Sequence, residues 1–447
     1  MPKKSFNLKI EDKIPPFNKI IKVDSDKSIS IRSLLIGSIS QNISCIKNIL
    51  ESEDVISTIN CLKKLGVKIL KKNNIFYVYG KGLGSFNAKT NAKLNFGNSG
   101  TLARLMTGIL STTPNINLNL IGDHSLNKRS MKKLILLMSE FGASFKPKGK
   151  FNFPLKIISS EMPIGINYKA GVSAQLKSAV LLAGLNSYGK TVIFEQHQSR
   201  NHTEKMLSHN KDVIKVENKK NKIINIFGKR NLKPIDINVF GDPSSAAFFC
   251  ALTTLKERSS IKILSVGLNP TRIGFYNLLK KFGANIKFEN LRKSNSEPYG
   301  NIVVKYKKLK PLKASKNYYV NSTDEYPILF IIAALTKGVS VFKGIKDLAN
   351  KESDRIFEMQ KILKQIGIKS KSSKDQLKIY GRGLIDARKK RIFVKNLGDH
   401  RICMSSFILA ILTGAKTNIK NFETVNTSSP SFLKIMKTLG ANFEIQK

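Results

Sequence analysis

A short pattern of apolar and polar positions recurs along the chain. Each copy has the end of an amphipathic helix, then a glycine with a small or β-branched residue, then the alternating apolar residues of a strand. It surrounds Gly66, Gly142, Gly283, Gly367 and Gly440. Glycine suits this position because it adopts the left-handed backbone conformation that ends many helices. The pattern therefore predicts repeated helix–turn–strand units.

The spacing of these glycines indicates a sixth copy. Successive gaps are 76, 141, 84 and 73 residues, so one gap is about twice the others. We expect the missing copy at MLSHNKDVIKV (206–216), with Asn210 or Lys211 in the turn. Six units of roughly 70 residues form an internal repeat, and two groups of three would make two domains facing a cleft. The third and fourth units meet near residues 238–241.

One motif matches a nucleotide-binding loop in sequence but lies in the wrong structural context. Residues 184–191 match the phosphate-binding pattern GxxxxGK[ST], which requires a strand before the loop and a helix after it. Here the order is reversed, because residues 174–185 have a helical composition and residues 191–196 resemble a strand. Lys190 would then face no phosphate, and we reject a nucleotide site at this loop.

Several predicted helix starts share one design, a polar or glycine-bearing turn with a basic residue before an apolar run. They lie at 25–39, 97–110, 122–131, 173–185, 199–207, 351–367 and 398–412. Each alone is an ordinary helix cap. Together they could converge on a ligand set that carries several phosphates and carboxylates, because helix N-termini and basic side chains attract anions. Lys351 and Arg355, four residues apart, are expected on one helix face.

Composition narrows the classes of protein. A chain of 447 residues with 41% hydrophobic residues can form two or three folded domains. Apolar runs are too short to span a bilayer, and the N-terminus lacks the apolar core of a secretory signal. The four cysteines form no CxxC pair, and the five histidines show no zinc spacing. We therefore expect a cytoplasmic protein without a metal or another cofactor and without a membrane partner.

The charge has two interpretations. Lys and Arg number 77 against 30 Asp and Glu, a net charge of +47. Such a field could serve a nucleic-acid-binding protein. The composition is also what a lysine-, asparagine- and isoleucine-rich proteome would produce, and the basic residues are spread along the whole chain. We favour this second interpretation and expect no nucleic-acid partner, although the charge would still attract small anions.

Eight motifs, in this order, resemble the 3-phosphoshikimate 1-carboxyvinyltransferase (EPSP synthase) family, and most closely its second class. They are DKSIS-x-R, GNSGT, SAQ-x-KSA-x-LLAGL, GDPSSAAFF, NPTR, DEYP, KESDR and GDHR-x-x-M. The resemblance runs from about residue 22 to residue 443. The sister family, UDP-N-acetylglucosamine 1-carboxyvinyltransferase, is the nearest alternative, but its catalytic loop cysteine has no counterpart near residue 115.

The resemblance implies the fold and its domains. The family's fold is a two-domain, inside-out α/β barrel of six βαβαββ repeats with the active site in the interdomain cleft. Residues 1–24 with 239–447 would form domain I, and residues 25–238 would form domain II. We expect a monomer.

The resemblance also implies a reaction and its residues. Phosphoenolpyruvate and shikimate 3-phosphate would give 5-enolpyruvylshikimate 3-phosphate and phosphate. Asp324 matches the family's base at the hydroxyl, and Glu352 with Lys27 match the candidates for proton transfer at C3. The shikimate 3-phosphate site would comprise Lys27, Ser28, Arg32, Ser173, Ala174, Gln175, Arg200, Asp324 and Lys351. The phosphoenolpyruvate site would comprise Lys27, Gly100, Arg129, Gln175, Arg355 and Arg401.

Some positions depart from the family's pattern. Ser130 replaces a proline, Asn201 an aspartate, and Thr427 the phosphate-binding lysine of the first class. Gly100 stands where members that tolerate the inhibitor glyphosate have alanine. The resemblance to the second class, which includes glyphosate-tolerant members, implies tolerance, whereas Gly100 implies sensitivity. Because the glycine leaves space for the inhibitor, we expect a glyphosate-sensitive enzyme.

Overall fold

A computed structural model describes residues 5–218 and 221–446. The chain forms two compact units. Unit 1 comprises residues 1–24, 240–292 and 298–447, and unit 2 comprises residues 25–239 and 293–297. Val239 and the short segment 293–297, which the resemblance assigns to domain I, thus group with unit 2. That each unit folds as an independent domain stays a prediction.

Unit 2 contains three four-stranded sheets. Their strands are β3 (Ile43–Lys47), β4 (Ile69–Lys72), β5 (Ile75–Tyr79) and β14 (Asp236–Asn238); β6 (Lys93–Asn95), β7 (Asn117–Ile121), β8 (Ser144–Lys146) and β9 (Leu155–Ile158); and β10 (Asn167–Ala170), β11 (Lys190–Glu195), β12 (Ile214–Asn218) and β13 (Lys222–Phe227). Its helices are α1 (Lys27–Ile39), α2 (Glu53–Lys64), α3 (Gly100–Thr112), α4 (His124–Lys128), α5 (Lys132–Glu140), α6 (Ala174–Leu185) and α7 (His202–Leu207).

Unit 1 also has three four-stranded sheets. Their strands are β1 (Asn7–Ile10), β22 (Arg391–Val394), β23 (Lys416–Ile419) and β24 (Glu444–Gln446); β2 (Asn18–Lys22), β15 (Ser260–Gly267), β16 (Asn285–Ser294) and β17 (Glu297–Lys305); and β18 (Lys313–Ala314), β19 (Gly338–Lys343), β20 (Lys369–Ser373) and β21 (Gln376–Gly381). Its α-helices are α8 (Pro243–Leu255), α9 (Gly274–Lys281), α10 (Lys316–Ser322), α11 (Tyr326–Ala334), α12 (Arg355–Gln365), α13 (His400–Thr413) and α14 (Phe432–Thr438), and 3-10 helices span Thr323–Glu325, Lys346–Asn350 and Phe422–Thr427.

Four of the six sheets share one strand order along the chain. In the other two, β14-β3-β5-β4 and β22-β23-β1-β24, a strand from another part of the chain (β14 or β1) takes one of the four places. In the sheet β6-β7-β9-β8, β6 pairs parallel to β7, whereas β7 and β8 both pair antiparallel to β9. The parallel pair needs a crossover, and α3 supplies it. The six repeated βαβαββ units that the resemblance implies are therefore confirmed.

The turn glycines behave as predicted, with one exception among the six copies. Gly66, Gly142, Gly283, Gly367 and Gly440 have φ angles from 78° to 105°, which is the left-handed region. In the sixth copy neither Asn210 nor Lys211 has a positive φ among the described residues. Instead, the Asn210 amide donates to the Leu207 carbonyl and the Val213 amide to the Asn210 carbonyl. The prediction of a left-handed stop there was wrong, although helix α7 and strand β12 lie on either side.

Six helices, which we call the inner helices, are buried nearly all round: α1, α3, α6, α8, α11 and α13. None of these described helices has an acidic residue in its first turn. By contrast, helices such as α2 and α12 bury one face only. The inner helices therefore form the cores. Four of them follow an acidic N-cap residue (Asp26, Asp242, Glu325 and Asp399), which favours the positive end of the backbone dipole, whereas α3 and α6 have serine N-caps.

Helices α3 and α6 approach each other closely at Gly108. A Cβ atom added at Gly108 would lie 2.5 Å from the Ala179 carbonyl oxygen, so only glycine fits. This contact fixes the spacing of the two helices whose first residues are Gly100 and Ala174. The local backbone thus sets the distance between two predicted site segments.

One helix start is later than predicted. Helix α12 begins at Arg355, and the Asp354 side chain accepts hydrogen bonds from the amides of Ile356 and Phe357. Lys351 therefore precedes the helix and does not share a helical face with Arg355. The sequence Ser-Asp before Arg355 is itself an N-cap signal, because Asp satisfies the free amides of a first turn.

Candidate active site

Three predicted site residues of unit 2 lie on helix α1. The Asp26 side chain caps the helix by accepting from the Ile29 amide at 2.9 Å. Lys27, the first helical residue, has its Nζ 3.0 Å from Asp54 Oδ2. One turn on, Arg32 is buried and donates to Thr203 Oγ1, to Ser178 Oγ and to the carbonyl of Ser28. The start of α1 thus presents an ammonium group and fixes the Arg32 guanidinium by polar contacts.

Helices α3 and α6 begin side by side. Ser99 caps α3 and Ser173 caps α6, each through its hydroxyl. Gln175 donates from Nε2 to Thr101 Oγ1 at 3.0 Å and accepts from Arg104 Nη1 at 3.0 Å. The structure therefore brings Gln175 to the first turn of α3. Ala174 precedes it as the first residue of α6.

Arg129 lies at the same place. It follows α4, and its Nη2 donates to Asn98 Oδ1 and to Ser125 Oγ. A Cβ built on Gly100 would be 3.1 Å from Arg129 Nη1 and 2.8 Å from Arg104 Nη1. Gly100, Gln175 and two guanidinium groups thus surround the start of α3. This is an arrangement suited to an anion.

In unit 1 three predicted site residues meet at Arg355. Its side chain is 1% exposed, and its Nη2 lies 2.7 Å from Glu352 Oε2. Its Nε donates to Asp399 Oδ2 at 2.9 Å, and its Nη1 lies 3.9 Å from Asp324 Oδ1. Burial alone would lower the pKa of Arg355, but the charges of Asp399, Glu352 and Asp324 outweigh it and raise the pKa. One permanent cation therefore holds three carboxylates.

These carboxylates differ in exposure. The side chains of Asp324 and Glu352 are 26% and 22% exposed, whereas Asp399 is fully buried. Asp399 also caps helix α13 by accepting from the Arg401 amide. Asp324 and Glu352 can thus exchange protons with a ligand, while Asp399 holds the guanidinium in place.

Arg401 is buried beside α8. Its guanidinium lies 5.9 Å from the ring centroid of Phe248, and its Nε and Nη1 make no hydrogen bond to the described residues. Burial raises the pKa of the nearby Asp242, but the charges of Arg272 and Arg401 outweigh it and hold that pKa below 3.8. A buried guanidinium with unused donors is suited to an anionic ligand.

Lys351 and Arg200, the two remaining basic residues of the predicted site, lie in different local environments. Lys351 Nζ lies 2.6 Å from Asp347 Oδ2, and this carboxylate also accepts from Tyr319 Oη. Arg200 is half-buried and follows Ser199 after strand β11. Two of the departures from the family's pattern make local hydrogen bonds: Ser130 Oγ accepts from the Lys132 amide, and Thr427 Oγ1 donates to the Thr424 carbonyl.

Sequence reasoning missed three residues of the site. Asp54, Arg104 and Asp399 contact Lys27, Gln175 and Arg355, respectively. Asp399 was detectable, since Asp before a helical run is an N-cap signal. Asp54 and Arg104 had no local signal, because their partners lie 27 and 71 residues away.

The described residues contain no helix that is long and apolar enough to cross a membrane. Residues 5–218 and 221–446 also contain no group of three or more His, Cys, Asp or Glu side chains that could hold a metal ion. The four cysteines are free thiols.

Comparisons with known proteins agree over nearly the whole chain. Residues 12–436 match the family model described as EPSP synthase (3-phosphoshikimate 1-carboxyvinyltransferase). A 3-phosphoshikimate 1-carboxyvinyltransferase of Zymomonas mobilis is 37% identical over 98% of this chain and 97% of its own length. One from Bacillus pumilus is 36% identical over 95% and 97%.

Solved structures show the same likeness. The EPSP synthase of Acinetobacter baumannii superposes with a TM-score of 0.84 at 33% identity, covering 99% of this chain and all of that one. The enolpyruvyl transferase NikO of Streptomyces tendae has a TM-score of 0.75 at 13% identity, covering 99% of this chain and 98% of that one. The second comparison shows a shared fold only.

Proposed function

Because the chain belongs to the EPSP synthase family, we propose that it transfers the enolpyruvyl group of phosphoenolpyruvate to the 5-hydroxyl of shikimate 3-phosphate. The products are 5-enolpyruvylshikimate 3-phosphate and phosphate, in the biosynthesis of aromatic amino acids. The observation that carries the proposal is the set of carboxylates around Arg355. It supplies two partly exposed proton-transfer groups beside a fixed cation.

The first step is an addition. Asp324 accepts the proton of the 5-hydroxyl while that oxygen forms a bond to C2 of phosphoenolpyruvate. The C2–C3 double-bond electrons take a proton at C3, delivered by Glu352 or Lys27, and a tetrahedral intermediate results. General acid–base groups of this kind each accelerate such steps by about 10²–10⁴-fold.

The second step is an elimination. A base, Glu352 or Lys27, removes a proton from C3, the C2–C3 double bond re-forms, and the C2–O bond to phosphate breaks. Phosphate leaves with the bonding electrons, and cations stabilise the charge that develops on it. Arg129 and Lys27 are our candidates for this role, and Arg355 and Arg401 for holding the carboxylate of phosphoenolpyruvate.

The remaining polar residues would bind shikimate 3-phosphate. Ser173, Ala174 and Gln175 form the start of α6, where backbone amides favour an anion. Arg200 would pair with the phosphate, and Ser28, Arg32 and Lys351 would complete the site. Arg32 is held by Thr203 and Ser178, so it would act mainly through the geometry of its neighbours.

A phosphate-release assay tests the proposal. Purified protein is incubated with phosphoenolpyruvate, with and without shikimate 3-phosphate, and phosphate is measured. We expect release only when both substrates are present, together with enolpyruvyl-bearing product in the mass spectrum. Release with phosphoenolpyruvate alone would indicate a phosphatase, and no release with both substrates would overturn the proposal.

A further inference from the structure

A buried cluster of charges lies behind the segment that carries Arg200. We propose that Lys177 is a positioning residue: through Glu195 and Glu204 it fixes this segment relative to the start of α6. The inference rests on the proposed function, since it takes Arg200, Ser173 and Gln175 as ligands of shikimate 3-phosphate.

The cluster is sealed from solvent. The side chains of Lys177 and Glu195 are 0% exposed, and Lys177 Nζ lies 2.7 Å from Glu195 Oε1. The same ammonium lies 2.7 Å from Glu204 Oε1. Lys222, at the edge, lies 3.5 Å from Glu195 and 3.7 Å from Glu204. Two cations thus balance two carboxylates.

Such a cluster adds little stability compared with apolar residues of similar size. Removing charges from water carries a desolvation penalty that the attraction between them often only offsets. The cluster does, however, define positions sharply, because short charge-assisted hydrogen bonds tolerate little displacement. We therefore expect the cluster to act mainly by fixing the positions of the residues that it contacts.

The cluster contacts residues on both sides of Arg200 in the sequence. Glu195 Oε1 accepts from the Ser199 amide at 2.8 Å and from Ser199 Oγ at 2.7 Å, in addition to Lys177. These bonds close the segment 196–198, whose residues are exposed, onto the end of β11. Ser199 directly precedes Arg200, and Glu204 follows it on α7. Both sides of the Arg200 backbone are thus anchored to one ammonium group.

Lys177 also belongs to the helix that begins with the other ligands. It lies two residues after Gln175, and its amide donates to the Ser173 carbonyl at 3.2 Å. A parallel link runs nearby, because Thr203 Oγ1 on α7 donates to Ser178 Oγ on α6 at 2.9 Å. Lys177 therefore couples the phosphate-binding segment to the helix start that would hold the same ligand.

A double-mutant cycle tests this role. The dissociation constant of shikimate 3-phosphate is measured by isothermal titration calorimetry for the unmodified protein, Ser199→Ala, Arg200→Ala and the double variant. We expect Arg200→Ala to weaken binding by about 10- to 100-fold, as the loss of a charged hydrogen bond does. Ser199→Ala should weaken it by about 3- to 10-fold in the unmodified protein and by less than about twofold in the Arg200→Ala background.

A second variant tests Lys177 itself. Lys177→Met alone would leave two buried carboxylates uncompensated, so the charges are removed together as Lys177→Met/Glu195→Gln/Glu204→Gln. The glutamine at 195 still accepts from Ser199. We expect the KM for shikimate 3-phosphate to rise, the KM for phosphoenolpyruvate to stay within about twofold and kcat to change little. This effect too should vanish in the Arg200→Ala background.

The control is Ser187→Ala, a buried serine at the far end of α6 whose hydroxyl donates to the Ala183 carbonyl. It should leave ligand affinity unchanged. Equal weakening by Ser199→Ala in both backgrounds, or a lower melting temperature with unchanged affinity, overturns the positioning role. An Arg200→Ala variant with normal affinity overturns the assignment of Arg200, and this inference with it. Phosphate release from both substrates would meanwhile show separately whether the proposed activity stands.

Discussion

The candidate site residues of the two units differ in what surrounds their positive charges. In unit 2, Arg32 donates to Thr203 and to the Ser28 carbonyl, Arg129 donates to Asn98 and Ser125, and Lys27 pairs with a single carboxylate, Asp54. In unit 1, three carboxylates gather around the single guanidinium of Arg355. Hydroxyl and amide contacts orient a cation without cancelling its charge, whereas carboxylates cancel it.

The difference suggests a division of tasks. A cation that keeps its charge attracts phosphate strongly, so the groups of unit 2 are suited to binding. Around the cation of unit 1, two of the carboxylates, Asp324 and Glu352, are partly exposed and can reach a ligand. Unit 1 is therefore suited to proton transfer.

The largest effect should come from removing the proton acceptors of unit 1. Asp324→Asn or Glu352→Gln keeps the shape of the side chain but not its basicity, so kcat should fall by about 10²–10⁴-fold. Steady-state phosphate release measures this, and circular dichroism checks the fold. Asp375→Asn, at an exposed carboxylate, is the matched control. Near-normal turnover in a variant with both substitutions would show that Asp324 and Glu352 are only structural ion-pair partners of Arg355.

The next effect concerns the guanidinium itself. Lysine cannot reproduce the rigid planar geometry with which Arg355 donates from Nε to Asp399 and from Nη2 to Glu352. Arg355→Lys should raise the KM for phosphoenolpyruvate by about 10- to 100-fold, and that for shikimate 3-phosphate much less. Arg388→Lys breaks a similar but exposed fork with Asp386 and should change neither constant. An equal rise in both constants with Arg355→Lys would point to a folding defect.

A smaller effect is expected at Gly100 in unit 2. An added methyl would meet the ends of two flexible side chains, Arg104 and Arg129, and these can shift. We therefore expect Gly100→Ala to raise the inhibition constant of glyphosate by about 5- to 10-fold, the low end of the ~1–3 kcal/mol typical of an added methyl. The KM for phosphoenolpyruvate should rise less. Gly171→Ala, where an added methyl meets nothing within 4 Å, is the control. An unmodified enzyme that resists millimolar glyphosate would contradict the assignment of Gly100.

The smallest effect is on acid stability. Burial raises the pKa of Glu195, but Lys177 and Ser199 outweigh it and hold the pKa below its ordinary 4.5. A carboxylate with a lowered folded-state pKa stabilises the fold above its ordinary pKa and loses this contribution as the pH falls through the folded value. Urea unfolding should therefore show that the stability difference between the unmodified protein and Glu195→Gln shrinks below pH 4.5. A difference independent of pH would contradict the ionised state of Glu195.

Much of the fold could be predicted because its signals are local. The helix stops at Gly66 and Gly142 and the helix start at Lys27 depend on neighbouring residues alone. The start of α12 was misplaced because the four-residue spacing of Lys351 and Arg355 was taken as helical, although Asp354 is a cap signal. The left-handed turn predicted from the five glycines does not occur at Asn210. Backbone hydrogen bonds from Asn210 to Leu207 and from Val213 to Asn210 close that turn instead.

The site was less predictable than the fold. Resemblance supplied the candidate substrate-binding residues, but not the side chains that contact and hold them. Asp54 on Lys27 and Lys177 on Glu195 are contacts between separate elements, and spacing along the chain does not encode them. Lys177 was visible as the basic residue of the helix start at 173–185, but its burial between Glu195 and Glu204 was not.

The inner helices have a consequence for how the sequence can change over generations. They contain only five Lys, Arg, Asp or Glu residues, namely Lys27, Arg32, Arg104, Lys177 and Arg401. Each of the five belongs to the candidate site or holds one of its segments. The other basic residues of this lysine-rich chain lie outside these helices, because a new charge inside one would be buried without a partner.

Mutational tolerance should therefore follow burial rather than the sequence motifs. Drift in base composition can add lysines to the strands and to the exposed faces of α2 and α12, where water solvates them. The six inner helices should not tolerate such added lysines, because nearly all of their positions are buried. A saturation-mutagenesis map of this chain would show six intolerant blocks, each with its permitted charges at positions tied to ligand binding.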